Sequence, residues 1–554
     1  MPYFGICQKG SVDIGRRINV LDHGISSDTL NDQTEAIQRV IDQATAGETV
    51  FFPEGIYLVR TILLKSGVNL LAEGLIKHHS SAKVGEYSIE KQNSPNPLIL
   101  AREVSNVSIS LHGESKNEGI YLLKSHQIRI FNSDLSGDST KYRAYPGIMT
   151  FESSGIEISN SKIHHFGKPR EETKSYQPGT GIRILSSNTV SIQNSEIYSN
   201  GENGLFIYGS RKIEVLNNVI HHNGMSGIQV AFGDKGKEKD YNFSNNIFDS
   251  NAADAIDINN RSPQKAMDID CIIAMNISCD NGFVKGESTP DGSGIGTLIN
   301  ISSVLLYKNE AYRNNRPAVY IESCGLIMAK KNWADNQVEV TLGLDELLVE
   351  QNRFSSINLI SNTNANKITL RNNTLGSLSL PNGIQVEEFH ILQNNFSHGS
   401  FNLNMKGKLI LSKNKIENSS GDPALLITQA DDAVIQNNEI ISHSSSAIIL
   451  RKTAKGVKII ENEITSYNTG IFDDSSRELV VKNNKITSIE GGAENQAFRS
   501  HYPNQLTLEG NEYRGVENTE TVLFMGKGTA KVGNEKLISG NANFGEVDIS
   551  KINF

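Results

Sequence analysis

The sequence predicts an all-β fold, a solenoid of stacked parallel coils, and three observations carry that reading. A short phrase recurs between Asn194 and Asn259: an Asn or Ser, any residue and an apolar residue, then a polar turn, then a strand of the form Gly-apolar-x-apolar. It appears as Ser195-Glu196-Ile197 before Gly204-Leu205-Phe206-Ile207, as Asn218-Val219-Ile220 before Gly227-Ile228-Gln229-Val230, and as Asn246-Ile247-Phe248 before Ala255-Ile256-Asp257-Ile258. The steps of 23 and 28 residues are too short for a unit to bury its own apolar face, so the units must stack. Further on, Asn332, Asn352, Asn373, Asn394, Asn414, Asn438, Asn462 and Asn484 each precede an x-apolar pair, at steps of 20 to 24 residues. Such a column of Asn forms an internal ladder, each side chain bonding the neighbouring coil. The 47 Gly against 13 Pro supply the tight repeated turns that coils need.

Length alone would suggest several domains for 554 residues, but a solenoid grows without a new core. A hydrophobic content of 37% suits a core one coil wide. The net charge of −9 argues against general nucleic-acid binding. Cys7, Cys271, Cys279 and Cys324 are sparse and show no metal spacing, so free or core thiols are expected. No apolar run is long enough to span a membrane, and the opening MPYFGICQKG shows no signal peptide.

In chain order, the first element is an N-terminal helical cap. Asn31-Asp32-Gln33-Thr34-Glu35 offers capping groups, and Ile37, Val40, Ile41 and Ala44 fall at helical spacing, with Gly47 as the expected stop. Val50 to Val59 reads as strand, turn, strand. Ile18-Asn19-Val20-Leu21-Asp22-His23-Gly24, then Asp32-Gln33-Thr34-Glu35-Ala36-Ile37, then Thr49-Val50-Phe51-Phe52-Pro53-Glu54-Gly55-Ile56-Tyr57 together resemble the opening of the pectate-lyase-like superfamily. That resemblance implies a right-handed parallel β-helix, the fold of pectinases, alginate-acting enzymes and phage tailspikes, and a secreted or virion-associated protein.

Residues 1–75 are then cap and first coils, with regular coils from about Leu98; 76–324 are coils with long loops; 325–554 are regular coils serving mainly as scaffold. Long insertions follow Ile163, Val230, Ile258 and Cys279. Regular coils need short turns, so these loops carry something beyond the scaffold.

Alternate strand residues face outward. This places Arg183, Phe206, Tyr208, Gln229, Asp257, Asn259, Tyr320 and Glu322 in an outward column from Arg183 to Glu322. Aromatic faces beside planar polar groups suit sugar rings and their hydroxyls. Phe206, Tyr208, Gln229, Asn259, Tyr320 and Glu322 are the expected substrate-binding residues, and Asp257, Asp254, His222 and Arg183 the catalytic candidates. Asp257 and Asp254 can divide acid and base roles in glycoside cleavage, provided a turn brings Asp254 to the same face. Asn251 to Asp257 resembles the Asn-x-Asp-Gly strand of polygalacturonase-type hydrolases; Gly292-Ser293-Gly294 stands where that family has Gly-His-Gly, and its Arg-Ile-Lys is missing. His164-His165 and His221-His222 occupy equivalent turns, where a His serves either as a base or as a turn residue bonding a carbonyl.

The expected function is therefore cleavage of glycosidic bonds in a polysaccharide or oligosaccharide by hydrolysis. A lyase or C5-epimerase on a polyuronate, using Arg183, His222, Tyr208 and Lys265, is the second reading; a glycan-binding tailspike or adhesin is the third. No metal triad stands at ligand spacing and no cofactor is called for. Ca²⁺ could draw on Asp234, Glu238 and Asp240, although Lys235, Lys237 and Lys239 alternate with them and favour a solvated loop. The partner is a glycan, with neither nucleic acid nor membrane insertion expected and homo-oligomerisation left open.

Overall fold

The computed structural model describes residues 15–27, 30–88, 96–168, 178–233, 236–261, 266–283, 292–381, 384–430, 432–451, 453–489 and 495–550. Asp234 and Lys265 lie outside the described residues. The described chain forms two compact units, one through Ala253 and one from Asp254 onward.

From Ile120 onward each coil of the first unit contributes three short strands. Ile182–Leu185, Asn188–Gln193 and Glu196–Tyr198 make one coil, and Leu205–Tyr208, Arg211–Leu216 and Val219–His221 the next. Each strand pairs in parallel with its counterpart: Ile182 with Leu205, Val190 with Ile213, Ile197 with Ile220. The inward residues of all three strands are fully buried aliphatics. Gly204, which opens one of the repeated strands, is sterically required, whereas Ala255 takes the same place in a later one. A Cβ on Gly204 would lie 2.7 Å from the Gly227 carbonyl oxygen and 2.5 Å from Ile220 Cγ2. The second unit repeats the plan, with Ile256–Asn259, Met267–Ala274 and Ile277–Cys279 set parallel against Gly296–Ile299, Ile301–Tyr307 and Glu310–Tyr312.

The coils begin earlier than Leu98. Arg17–Asn19 pairs with Thr49–Phe52, which pairs with Asn69–His78, which pairs with Ser105–Glu114. The expected helix forms at Thr34–Gln43 and buries Ile37, Val40 and Ile41. It stops before Gly47, because Ala44 turns to extended backbone and the Lys65 ammonium donates to the Asp42 and Ala44 carbonyls at 2.7 and 2.8 Å. Among the described residues no helix is long and apolar enough to cross a membrane. Cys271 and Cys324 are buried free thiols.

The Asn ladder is present in the second unit. The amide oxygen of each rung accepts the N–H of the previous Asn, as Asn332 does from Asn309, and its Nδ2 donates to carbonyls on both sides, as Asn332 does to Leu306 O and Asn352 Oδ1. It reaches further than the repeat spacing indicated, from Asn276 and Asn309 to Asn511, where Glu535 ends the row by accepting from Asn511. In the first unit the same position begins with Ser: Ser133, Ser161 and Ser195 precede Asn218 and Asn246.

His78 lies in the first unit, 2% exposed, and its Nδ1 accepts the Lys116 N–H at 2.9 Å. Burial lowers its pKa to about 4. The folded value lies below the unfolded one, so the neutral ring's contribution is complete above pH 6.5 and is lost as pH falls toward 4. Urea unfolding followed across that window should show the wild type losing about 3 kcal/mol more than His78→Gln loses.

Candidate functional site

On the outward face of the first unit, Tyr121, Met149, Arg183, Phe206 and Gln229 stand in one register row. Arg183 faces outward as expected, yet it is only 4% exposed. Its guanidinium donates to Glu202 Oε2 and to Thr180 Oγ1, both at 3.2 Å, and sits 4.9 Å from the Tyr87 ring centre and 4.2 Å from that of Phe206. Tyr87 belongs to a segment tied down elsewhere: its N–H donates to the Arg143 carbonyl, and Tyr145 donates its hydroxyl to Glu86 O at 3.1 Å. Arg183 is thus roofed and charge-paired, which corrects its expected place on an open groove wall. Burial, with the fully buried Glu118 second, raises Tyr121 and Tyr145 to about 12. Both phenols are held neutral, and Tyr145 uses its hydroxyl as a structural donor.

Of the residues expected to bind substrate on this face, Phe206, Tyr208 and Gln229 remain at least partly accessible. Phe206 is half-buried, Tyr208 is 36% exposed, and the Gln229 amide oxygen accepts from Asn203 Nδ2 at 2.9 Å. Tyr208 stands one row aside, in register with Leu185 and Ala231.

In the second unit the outward row is Asp257, Thr297, Tyr320 and Glu339, with Asn259, Ile299, Glu322 and Thr341 beside it. Asp257 is 9% and Thr297 7% exposed; Tyr320, Glu322 and Asn259 are half-buried. Tyr320 donates its hydroxyl to Glu322 Oε2 at 2.7 Å, and Gln337 donates to Glu339 Oε1 at 2.8 Å. Thr297 donates to Ser293 Oγ at 2.9 Å. Asp254 is 2% exposed, and its Oδ1 accepts the N–H groups of Gly292 at 2.9 Å and Ser293 at 2.6 Å. A buried carboxylate spent on two backbone donors anchors a loop, so the turn does not bring Asp254 out as the second acid beside Asp257.

His222 is exposed in the turn after Val219–His221, its Nδ1 2.9 Å from that of His221. Glu238, considered for Ca²⁺, is 2% exposed and accepts the Gly233 N–H at 2.6 Å. Sequence reasoning missed Thr297, because the long loop after Cys279 hides the strand Gly296–Ile299 from the repeat spacing, and it stopped short of Glu339, which follows Tyr320 in the same row on Val338–Glu350. It also missed Glu202, whose only signal is an acid two residues before a strand-opening Gly.

Residues 98–268 and 358–537 match the family model described as right handed beta helix region. The chain belongs to the pectate-lyase-like right-handed β-helix proteins. Residues 17–97 of this β-helix protein match the model described as rhamnogalacturonase A/epimerase, pectate lyase-like. No curated protein matches the sequence at a significant level. Solved structures similar to it include the N-terminal fragment of bacteriophage phi29 gene product 12, at 13% identity over 96% of this chain and 93% of that one, TM-score 0.41. The exopolygalacturonase of Thermotoga maritima is similar at 12% identity over 92% and 91% of the two chains, TM-score 0.33. The mannuronan C-5 epimerase A-module of Azotobacter vinelandii is similar at 14% identity over 80% and 94%, TM-score 0.28.

Proposed function

We propose that this β-helix protein is a carbohydrate-active enzyme that hydrolyses glycosidic bonds of a polysaccharide or oligosaccharide. The observation that supports this reading is the outward row of the second unit, where Asp257 shares a face with Tyr320 and with the Tyr320-bonded carboxylate of Glu322. Asp257 is the proton donor or nucleophile, and Glu322 replaces Asp254 as the second carboxylate. The two stand two coils and two strand positions apart, which is on the order of 10 Å at the backbone. An inverting pair keeps a water between its carboxyls and a retaining pair stands about 5 Å apart, so the anomeric configuration of the first product tells which role the two carboxylates take. Tyr320 supplies a ring face for a sugar, as Phe206 and Tyr208 do on the first unit.

A panel of neutral and acidic polysaccharides tests the reading. New reducing ends without ultraviolet absorbance by the product support hydrolysis. An unsaturated, absorbing product would support the lyase reading, and binding without any cleavage would support a glycan-binding protein.

A further inference from the structure

A second outward face of the first unit gathers four histidines and two carboxylates. The strands Asp134–Ser136, Lys162–His164, Glu196–Tyr198 and Val219–His221 stack in register, so that His164, Tyr198 and His221 form one row and Asp134, Lys162 and Glu196 the row beside it. The rings of His164 and Tyr198 stack at 4.8 Å, and those of Tyr198 and His221 at 5.0 Å. His165 and His222 follow directly, with left-handed backbone at φ 60° and 53°. Each presents its ring edge-on to its neighbour, at 83° and 87°.

The nitrogen atoms are arranged the same way twice. His164 Nε2 lies 2.9 Å from Asp134 Oδ1, and its Nδ1 lies 2.5 Å from His165 Nδ1. His221 Nε2 lies 3.2 Å from Glu196 Oε1, and its Nδ1 lies 2.9 Å from His222 Nδ1. A carboxylate only accepts, so Nε2 carries the proton in His164 and His221, and their Nδ1 atoms bear lone pairs. The Nδ1 of the following His faces that lone pair. Such a pair shares one proton or, with that proton gone, offers two lone pairs to a cation. Imidazole nitrogens suit zinc, copper or nickel, whereas calcium and magnesium take oxygen. A carboxylate on the remote nitrogen is the support that ligating histidines ordinarily have. Bonds of about 2.05 Å to a tetrahedral ion need the two nitrogens roughly 3.3 Å apart, a widening of under about 1 Å that ring rotation supplies.

We propose that His164 with His165, and His221 with His222, each bind one divalent transition-metal ion through their two Nδ1 atoms, Asp134 and Glu196 orienting the inner rings. Water or a ligand oxygen completes each coordination shell. The proposal is independent of the glycosidase reading.

Zinc titration of the chelator-treated full chain by calorimetry tests it. Two ions per chain are expected for the wild type and for His398→Ala, a histidine elsewhere. His165→Ala and His222→Ala should each retain one ion, and the double variant none. Asp134→Asn should weaken one site about 10–100-fold. Thermal melts verify that the variants fold, and copper paramagnetic resonance should count two equatorial nitrogens per ion. A wild type that binds no zinc, or a stoichiometry unchanged in both alanine variants, overturns the proposal, as does a copper spectrum with a single nitrogen.

Discussion

Asp257→Asn is expected to lower turnover of the polysaccharide substrate by about 10²–10⁴-fold, the range for loss of a positioned acid or base. Substrate affinity should change by less than about tenfold, because the amide keeps the carboxylate's shape and most of its hydrogen-bonding capacity. The site is only 9% exposed, so Asn leaves the neighbouring Thr297 packed as before. Glu322→Gln should show a loss of the same order, since the two carboxylates divide one reaction. Tyr320→Phe should cost less, because it removes only the hydroxyl that bonds Glu322. Steady-state kinetics on the polysaccharide identified by the panel supplies the measurement. Near-normal turnover in Asp257→Asn would remove the hydrolase assignment's main support. Inactivity of His222→Ala in that case would favour the lyase or epimerase reading. Arg183→Ala is a poor discriminator, since it leaves the fully buried Glu202 without its ion pair and destabilises the fold by about 3–5 kcal/mol.

Asn394→Ala should be among the most destabilising single changes in the second unit. Asn394 is 2% exposed and donates through Nδ2 to Leu370 O at 2.9 Å and to Asn414 Oδ1 at 3.0 Å. Its Oδ1 accepts both the backbone N–H and the Nδ2 of Asn373, each at 2.9 Å. Truncation strands several of these partners inside the coil, at about 1–3 kcal/mol for each buried group left unsatisfied, so a total of about 3–6 kcal/mol is expected. Asn394→Ser should cost less. In the first unit Ser195 accepts the Ser161 N–H from the same ladder position, although its own hydroxyl turns back to Gln193 O. Coils contact mainly their neighbours, so the loss should appear as local opening in amide hydrogen exchange around residues 370–414. Equal protection in Asn394→Ala and wild type would show that the ladder contributes little to the stack.

Much of this architecture is legible in the residues themselves. A repeat of 20 to 28 residues that cannot bury its own apolar face leaves stacking as the solution, and strict alternation names the outward residues. Asp257, Tyr320 and Glu322 face outward for that reason, and the Asn ladder follows from its spacing. His164 and His221 were likewise readable as equivalent turns, and Tyr198 joins them in one row.

What tertiary structure alone decided is which outward residues meet, and which of them stay accessible. Tyr87 covers Arg183 from 96 residues earlier in the chain, through a loop whose path no periodicity encodes. Asp254 could have faced the groove or held a loop. The choice depended on where the Gly292 and Ser293 N–H groups arrive, 38 and 39 residues later. The carboxylates behind the His pairs come from preceding coils at separations of 30 and 25 residues, so no fixed spacing advertises them. Periodicity determines the direction in which a side chain leaves its strand. The insertions between strands determine what it finds there, because loop closure costs little per added residue and therefore leaves loop length and path free to vary.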